Sequence, residues 1–339
     1  MASAARHGRV RSSALISKAR CASNRAAGPI TFASPFGYDA SAGILDVFAA
    51  QHLGYFATMC LDVRFVTSSA TPIALVSSGR ATITGEGSAA DFLSAAANGA
   101  NIVGIATYGD TSDYALLTWP SITNLRQLEG KTLAYHSVMP VALTEMLQRA
   151  GVDLSKVIEV NDTSYDPLLL TEGKFAALQA YRSNEPITLR ADHQAFREYV
   201  PSSYGVRGTF NVVVANASFL HRHRGALADF LRAELHAFDY CARHAQACIA
   251  AEAAQASAAG VDYNRAHNLA EWRFEVALAL HHHLAGRGVG VESYAEWRPE
   301  VSALLAAHLI RHLPRLSQVE DPSLAASLYH GSRLVWPGS

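Results

Sequence analysis

The chain has 339 residues, half of them hydrophobic and 17% charged, with a formal net charge of -1. That length suggests roughly two domains with a sizeable core, and no apolar run reaches the ~18–20 residues of a membrane-spanning helix. Six Arg or Lys and no acid fall within residues 1–27, leaving 22 basic against 29 acidic residues in the body; so acidic a body argues against nucleic acid as a partner, which needs clustered cations.

The basic, Ser/Ala-rich segment 1–29 reads as a targeting or linker stretch, expected to be disordered. It lacks a secretory apolar stretch, because Ala14-Leu15-Ile16 is interrupted by Ser17 and Lys18. Cys21-Ala22-Ser23-Asn24 looks like the start of a mature lipoprotein, although Lys18-Ala19-Arg20 does not fit the small, apolar lead that lipidation requires. The expectation is an exported protein, periplasmic or attached to the cell surface.

Short apolar strands then alternate with helices. Strands are predicted at 30–33, 62–66, 81–84, 102–106, 114–118, 132–135, 157–160, 175–181 and 211–215. Helices are predicted between them at 42–52, 72–78, 89–98, 141–149 and 166–172, a rhythm that argues for mostly parallel sheets covered by helices. After residue 215 the pattern is helical, at 225–255, 265–285 and 294–313. The strands at 114–118 and 211–215 bracket an inserted α/β block, which suggests two hinged lobes with a cleft between them.

Cys241 and Cys248 lie seven apart in a predicted helix, about 10 Å along its axis and too far for a disulfide while that helix is unbroken. Buried thiols are expected. No cysteine spacing is of the metal-binding kind.

Several short motifs resemble the solute-binding proteins of nitrate-, sulfonate- and thiamine-pyrimidine-type ABC importers. They are the helix-turn from Phe48 to Phe56, Leu61-Asp62-Val63, Ala74 to Ala81, Leu125 to Lys131, and Leu170 to Ala177. Thr58-Met59-Cys60 departs from the usual acidic-glycine lead-in. The resemblance implies a two-lobed, periplasmic-binding-protein-like (type II) α/β fold with a helical C-terminal region. Lobe one would combine residues 30–115 and 210–339, and lobe two would span 116–209. It also implies a small-molecule ligand, an ABC transporter permease as partner, and a membrane met only through a tether or that permease.

Ser183-Asn184-Glu185-Pro186 resembles the thiamine-pyrimidine branch, where the glutamate of this turn holds an amino-pyrimidine. Pro186 is expected to keep Glu185 in an extended or turn conformation at a strand end, where open α/β sheets place ligands. Synthases of this branch carry a cysteine cluster that this chain lacks, so a binder, not an enzyme, is the expectation. The rivals are such a synthase, or a carrier of a small sulfonate held by helix starts.

Loops at strand ends supply the candidate ligand-binding residues: Tyr38, Asp39, Ser69, Glu86, Tyr108, Ser137, Tyr165, Asp166, Asn184 and Glu185. For Asp39, Ser69 and Asp166, capping the following helix is the competing role. For Glu86, between Gly85 and Gly87, it is a solvated loop acid. Acids outnumber the one nearby cation, Arg182, and tyrosines stand beside them, which suits a flat, amine-bearing ligand. His281-His282-His283 point in different directions on a helix, and His221 and His223 read as a solvated helix start. No metal and no cofactor are expected.

Overall fold

Ten strands build two sheets of five. The computed structural model describes residues 15–66, 71–281, 286–312 and 314–337. Strands β1 (Ile30–Ala33), β2 (Val63–Val66), β3 (Ile83–Glu86) and β4 (Ile102–Gly109) come first. The chain then crosses to β5 (Tyr114–Thr118), β6 (Thr132–Tyr135), β7 (Ile158–Asn161), β8 (Ala177–Tyr181) and β9 (Arg197–Tyr199). It returns in β10 (Phe210–Asn216). The orders are β2-β1-β3-β10-β4 and β7-β6-β8-β5-β9. In each sheet three strands run parallel and the last two pairings are antiparallel. The fold is therefore mixed α/β with two five-stranded sheets and a largely helical C-terminal third.

Alternation along the strands decides which residues form each core. In β10, Val213 and Ala215 face a layer holding Phe48, Phe230 and Trp272, while Val212 and Val214 face Phe92 and Trp297. In β5, Tyr114 and Leu116 face one side and Ala115 and Leu117 the other. Strands buried on both faces read as continuous apolar runs, which is why they were visible in sequence. The free edge of β4 is covered where Thr107 pairs with Gly290 and Gly104 with Glu320.

Three local expectations are corrected. Within the segment expected to be disordered, Lys18–Ala26 is a helix capped by Ser17. Asn24 donates to Met59 O and Asp229 Oδ2, Arg20 pairs with Asp229, and Cys21 is bonded to Cys60. These partners lie far along the chain and could not be read from local composition. A sulfur held in that bond is not available for the lipid that a lipoprotein would carry on Cys21.

The second correction concerns Cys241 and Cys248, which form a disulfide with Cα atoms 5.7 Å apart. The expected continuous helix breaks at His244 (φ -127°, ψ 40°), ending Ala217–Arg243 and starting Ala245–Ala258. No Gly or Pro announces the break. Replacing both cysteines with serine is expected to cost about 2 kcal/mol for a loop this short, read as a lower unfolding midpoint without reductant. An unchanged midpoint would mean that the helix break holds itself.

Third, Glu185 is not extended. It opens the helix Glu185–Ala191, with Pro186 in the first turn, where its missing N–H costs nothing.

Candidate functional site

A cavity of about 680 Å³ opens between the sheets, at the carboxyl ends of β1, β3, β6 and β8. The helix Arg265–His281 supplies part of its wall. Parallel strands all deliver their following loops to this one edge, so residues distant in sequence meet there.

Seven carboxylates line the cavity: Asp39, Glu86, Asp91, Asp113, Glu185, Glu271 and Glu275. Among the described residues no Lys or Arg lines it. Arg182 is turned away, pairing with Glu198 and lying 5.2 Å from the Phe274 ring centre.

Several acids are held by defined donors. Glu185 Oε2 accepts from Tyr181 N–H at 2.8 Å, and Asp113 Oδ2 from the Ser183 hydroxyl at 2.6 Å. Glu275 Oε2 accepts from Ala42 N–H at 2.6 Å and the Ser41 hydroxyl at 2.9 Å. Asp91 caps its own helix through Ser88 N–H and also receives the Tyr114 hydroxyl at 3.1 Å, which in turn meets the Tyr181 hydroxyl at 3.2 Å. Glu86 Oε1, Asp113 Oδ1 and Glu271 Oε2 have no hydrogen-bond partner.

Burial of so many acids raises their pKa values, because an uncompensated charge is costly away from water. Burial pushes Glu185 up to about 7, with repulsion from Asp113 and Asp39 adding to it. Asp113 is pushed up to about 7 and Asp91 to about 6, again mainly by burial. Glu86, Glu271 and Glu275 lie well above the usual range; burial leads, and neighbouring acids reinforce it. A cation entering this cavity would relieve both effects.

Flat surfaces flank the acids. Phe36 is exposed and meets Tyr181 edge-on, with centroids 6.0 Å apart. Tyr165 stacks on His136 at 4.4 Å. Ser137, Tyr165 and Asn211, all lining the cavity, have positive φ (59°, 56° and 45°), a backbone state that costs about 1–3 kcal/mol outside glycine.

The cavity brings together six of the expected residues: Asp39, Glu86, Ser137, Tyr165, Asn184 and Glu185. Tyr38 instead stacks on Phe48 at 5.0 Å, against the core. Tyr108 is fully buried on the face covered by helices, its hydroxyl donating to Asp46 at 2.6 Å and lying 3.1 Å from Glu234. It ends a strand as expected, but β4 turns it into the core, so it builds no aromatic wall. Asp166 caps the turn beginning at Leu168, accepting that residue's N–H at 2.9 Å, and does not line the cavity. Ser69, His282 and His283 lie outside the described residues.

Sequence reasoning missed Asp91, Asp113, Tyr114, Glu271 and Glu275. A signal existed for the last two. Asn268, Glu271 and Glu275 recur at one face of a helix that also buries Trp272, and polar residues on a buried face need a reason.

The family described as NMT1/THI5 like matches residues 42–248. No protein of curated function matches the sequence. The fold is similar to a putative sulfonate ABC transporter periplasmic binding protein, SsuA, from Methylobacillus flagellatus KT, at 16% identity and TM-score 0.61, covering 88% of this chain and 93% of that one. It is also similar to the periplasmic aliphatic sulphonate binding protein SsuA from Escherichia coli, at 13% identity and TM-score 0.62, covering 91% and 96%. The desulfurization enzyme DSZB shares it at 12% identity and TM-score 0.59, covering 88% and 98%. At such identities the likeness is one of fold.

Proposed function

Because the chain belongs to the NMT1/THI5-like family, we propose that it is the substrate-binding component of an ABC importer and takes a small, amine-bearing heterocycle of the thiamine-pyrimidine type. The observation that carries this reading is the charge of the cleft: seven carboxylates and, among the described residues, no Lys or Arg. A charge-assisted hydrogen bond to an amine contributes about 1.5–3 kcal/mol, and a cation against an aromatic face about 0.5–2 kcal/mol. Two or three such contacts give micromolar or tighter affinity after ordering costs.

Glu185 is the central acceptor. Tyr181 N–H already holds one of its oxygens, so the other is oriented for a ligand. Asn184 Oδ1 is tied to His267 Nε2 at 2.9 Å, which joins the turn after β8 to the C-terminal helix across the cleft. Asp39 and Glu86 flank the ring, and Phe36 and Tyr165 offer it faces.

A sulfonate would have to settle among these acids without a guanidinium or ammonium to receive it. A covalent enzyme reading meets a second obstacle, since all four cysteines are in disulfides and supply no thiol. Disulfides also support an oxidising, extracytoplasmic location, where a permease is the natural recipient of the ligand.

Calorimetric titration at pH 8 tests this. A 4-amino-5-(aminomethyl)pyrimidine is expected to bind, to bind about 10–100-fold more weakly to Glu185→Gln, and taurine is expected to give no heat. Taurine binding, or pyrimidine binding indifferent to Glu185, would sink the ligand assignment.

A further inference from the structure

Asp113, Glu271 and Glu275 line the cavity and stand close enough to repel one another. They come from two places: the crossing between β4 and β5 gives Asp113, and one face of the helix Arg265–His281 gives the two glutamates. All three are at least nine-tenths buried, with 4%, 3% and 3% exposure, yet line the cavity. Ser183 donates to Asp113 Oδ2, and Ser41 and Ala42 satisfy Glu275 Oε2. Neither Asp113 Oδ1 nor Glu271 Oε2 receives a hydrogen bond; His267 Nε2 stands 3.9 Å from the latter, and the Asp39 carboxyl adjoins Glu271.

Two unpartnered carboxylate oxygens this deep are expensive unless something donates to them. Glu185 supplies no donor once ionised at pH 8, and its Oε2 already accepts from Tyr181 N–H. Among the described residues no three His, Cys, Asp or Glu side chains are set to hold a metal ion. An ammonium has three donors and a point charge, which suits several carboxylates approaching from different elements.

We propose that Asp113, Glu271 and Glu275 form a second cationic subsite, so that the ligand carries an aliphatic ammonium in addition to the heterocycle held at Glu185. This rests on the amine-bearing ligand argued above and adds its second basic centre. The tyrosine pair accounts for Asp91, which is already filled by Ser88 N–H and the Tyr114 hydroxyl. The ammonium therefore goes to the trio and not to Asp91.

The test compares two probes that share a ring and differ by one cation: 4-amino-5-(aminomethyl)pyrimidine and its 5-hydroxymethyl analogue, titrated calorimetrically into the full chain at pH 8. The aminomethyl compound is expected to bind at least about tenfold tighter. In Glu271→Gln, and separately in Asp113→Asn, that preference should shrink several-fold, with folding of each variant checked by thermal unfolding. Equal affinity of the two probes, or a preference indifferent to both substitutions, overturns the subsite while leaving the heterocycle reading intact. Displacement of the aminomethyl compound by equimolar calcium chloride also overturns it, in favour of a metal ion. Silence from both probes would overturn the subsite and the parent reading together.

Discussion

Thermal unfolding of the ligand-free protein is expected to show stability rising as pH falls from 8 to 5, the reverse of ordinary acid destabilisation. The cause is the set of buried acids with raised pKa values. Glu185, Asp113, Asp46 and Glu300 are each pushed up to about 7, all chiefly by burial. In the unfolded chain such groups return to the ordinary range near 4. Between those values the native state holds more protons than the unfolded state, so stability falls as pH rises. Each group's contribution is fully present below its unfolded pKa and lost as pH climbs through its folded pKa.

One carboxyl moved by two to three units accounts for about 3 kcal/mol over that span. Two or three such groups outweigh the opposing pair, His236 and His267, whose pKa values burial lowers. Those imidazoles must charge on unfolding below their ordinary value, and so favour the unfolded state in acid. Asp153 and Asp321, with lowered pKa values, act only at lower pH still. An amine ligand replaces the bound protons, so its stabilising effect should be largest at pH 8 and shrink toward pH 5. A midpoint that falls steadily from pH 8 to 5 without ligand would show that these acids are not buried in the way described.

The second large effect is expected from Trp297→Ala, a loss of about 3–5 kcal/mol in urea unfolding. Trp297 is fully buried, meets Phe92 edge-on at 5.0 Å, and donates from Nε1 to Thr107 Oγ1 at 3.1 Å. Its ring lies so close to Gly104 that a Cβ there would clash with Cη2. The helix Tyr294–Ala306 is thereby bolted to β4, the strand whose outer edge has no strand beside it. Truncation empties that space, leaves Thr107 without its donor, and loosens the edge where Gly290 and Glu320 pair. Gly104→Ala approaches the same contact from the other side and should cost about 1–3 kcal/mol through overpacking. A Trp297→Ala loss below about 1 kcal/mol would contradict that role.

Legibility in the sequence followed the range of the interactions involved. Strands such as Ile102–Gly109 and Phe210–Asn216 show as apolar runs because both of their faces are buried. The turn after Tyr181 was legible because its cavity-lining residues lie side by side in sequence. Tyr108 misled, since a strand end fixes position along the sheet but not which face a side chain takes. The Cys241–Cys248 bond was hidden because a helix break at His244 carries no Gly or Pro. Glu271 and Glu275 share a helix face with Asn268 and Trp272, which marks that face as special, but only tertiary packing shows that it borders the cleft.

The helix Arg265–His281 lies wholly outside residues 42–248, the stretch that matches the family. It nevertheless supplies two of the seven cleft carboxylates and, through His267, the hydrogen bond to Asn184. Part of the cleft's charge is thus written outside the stretch that marks the family. Two sequences could match the family equally well over that stretch and still carry different cargo, because a few substitutions in this one helix would redraw the charge of the cleft without disturbing either sheet.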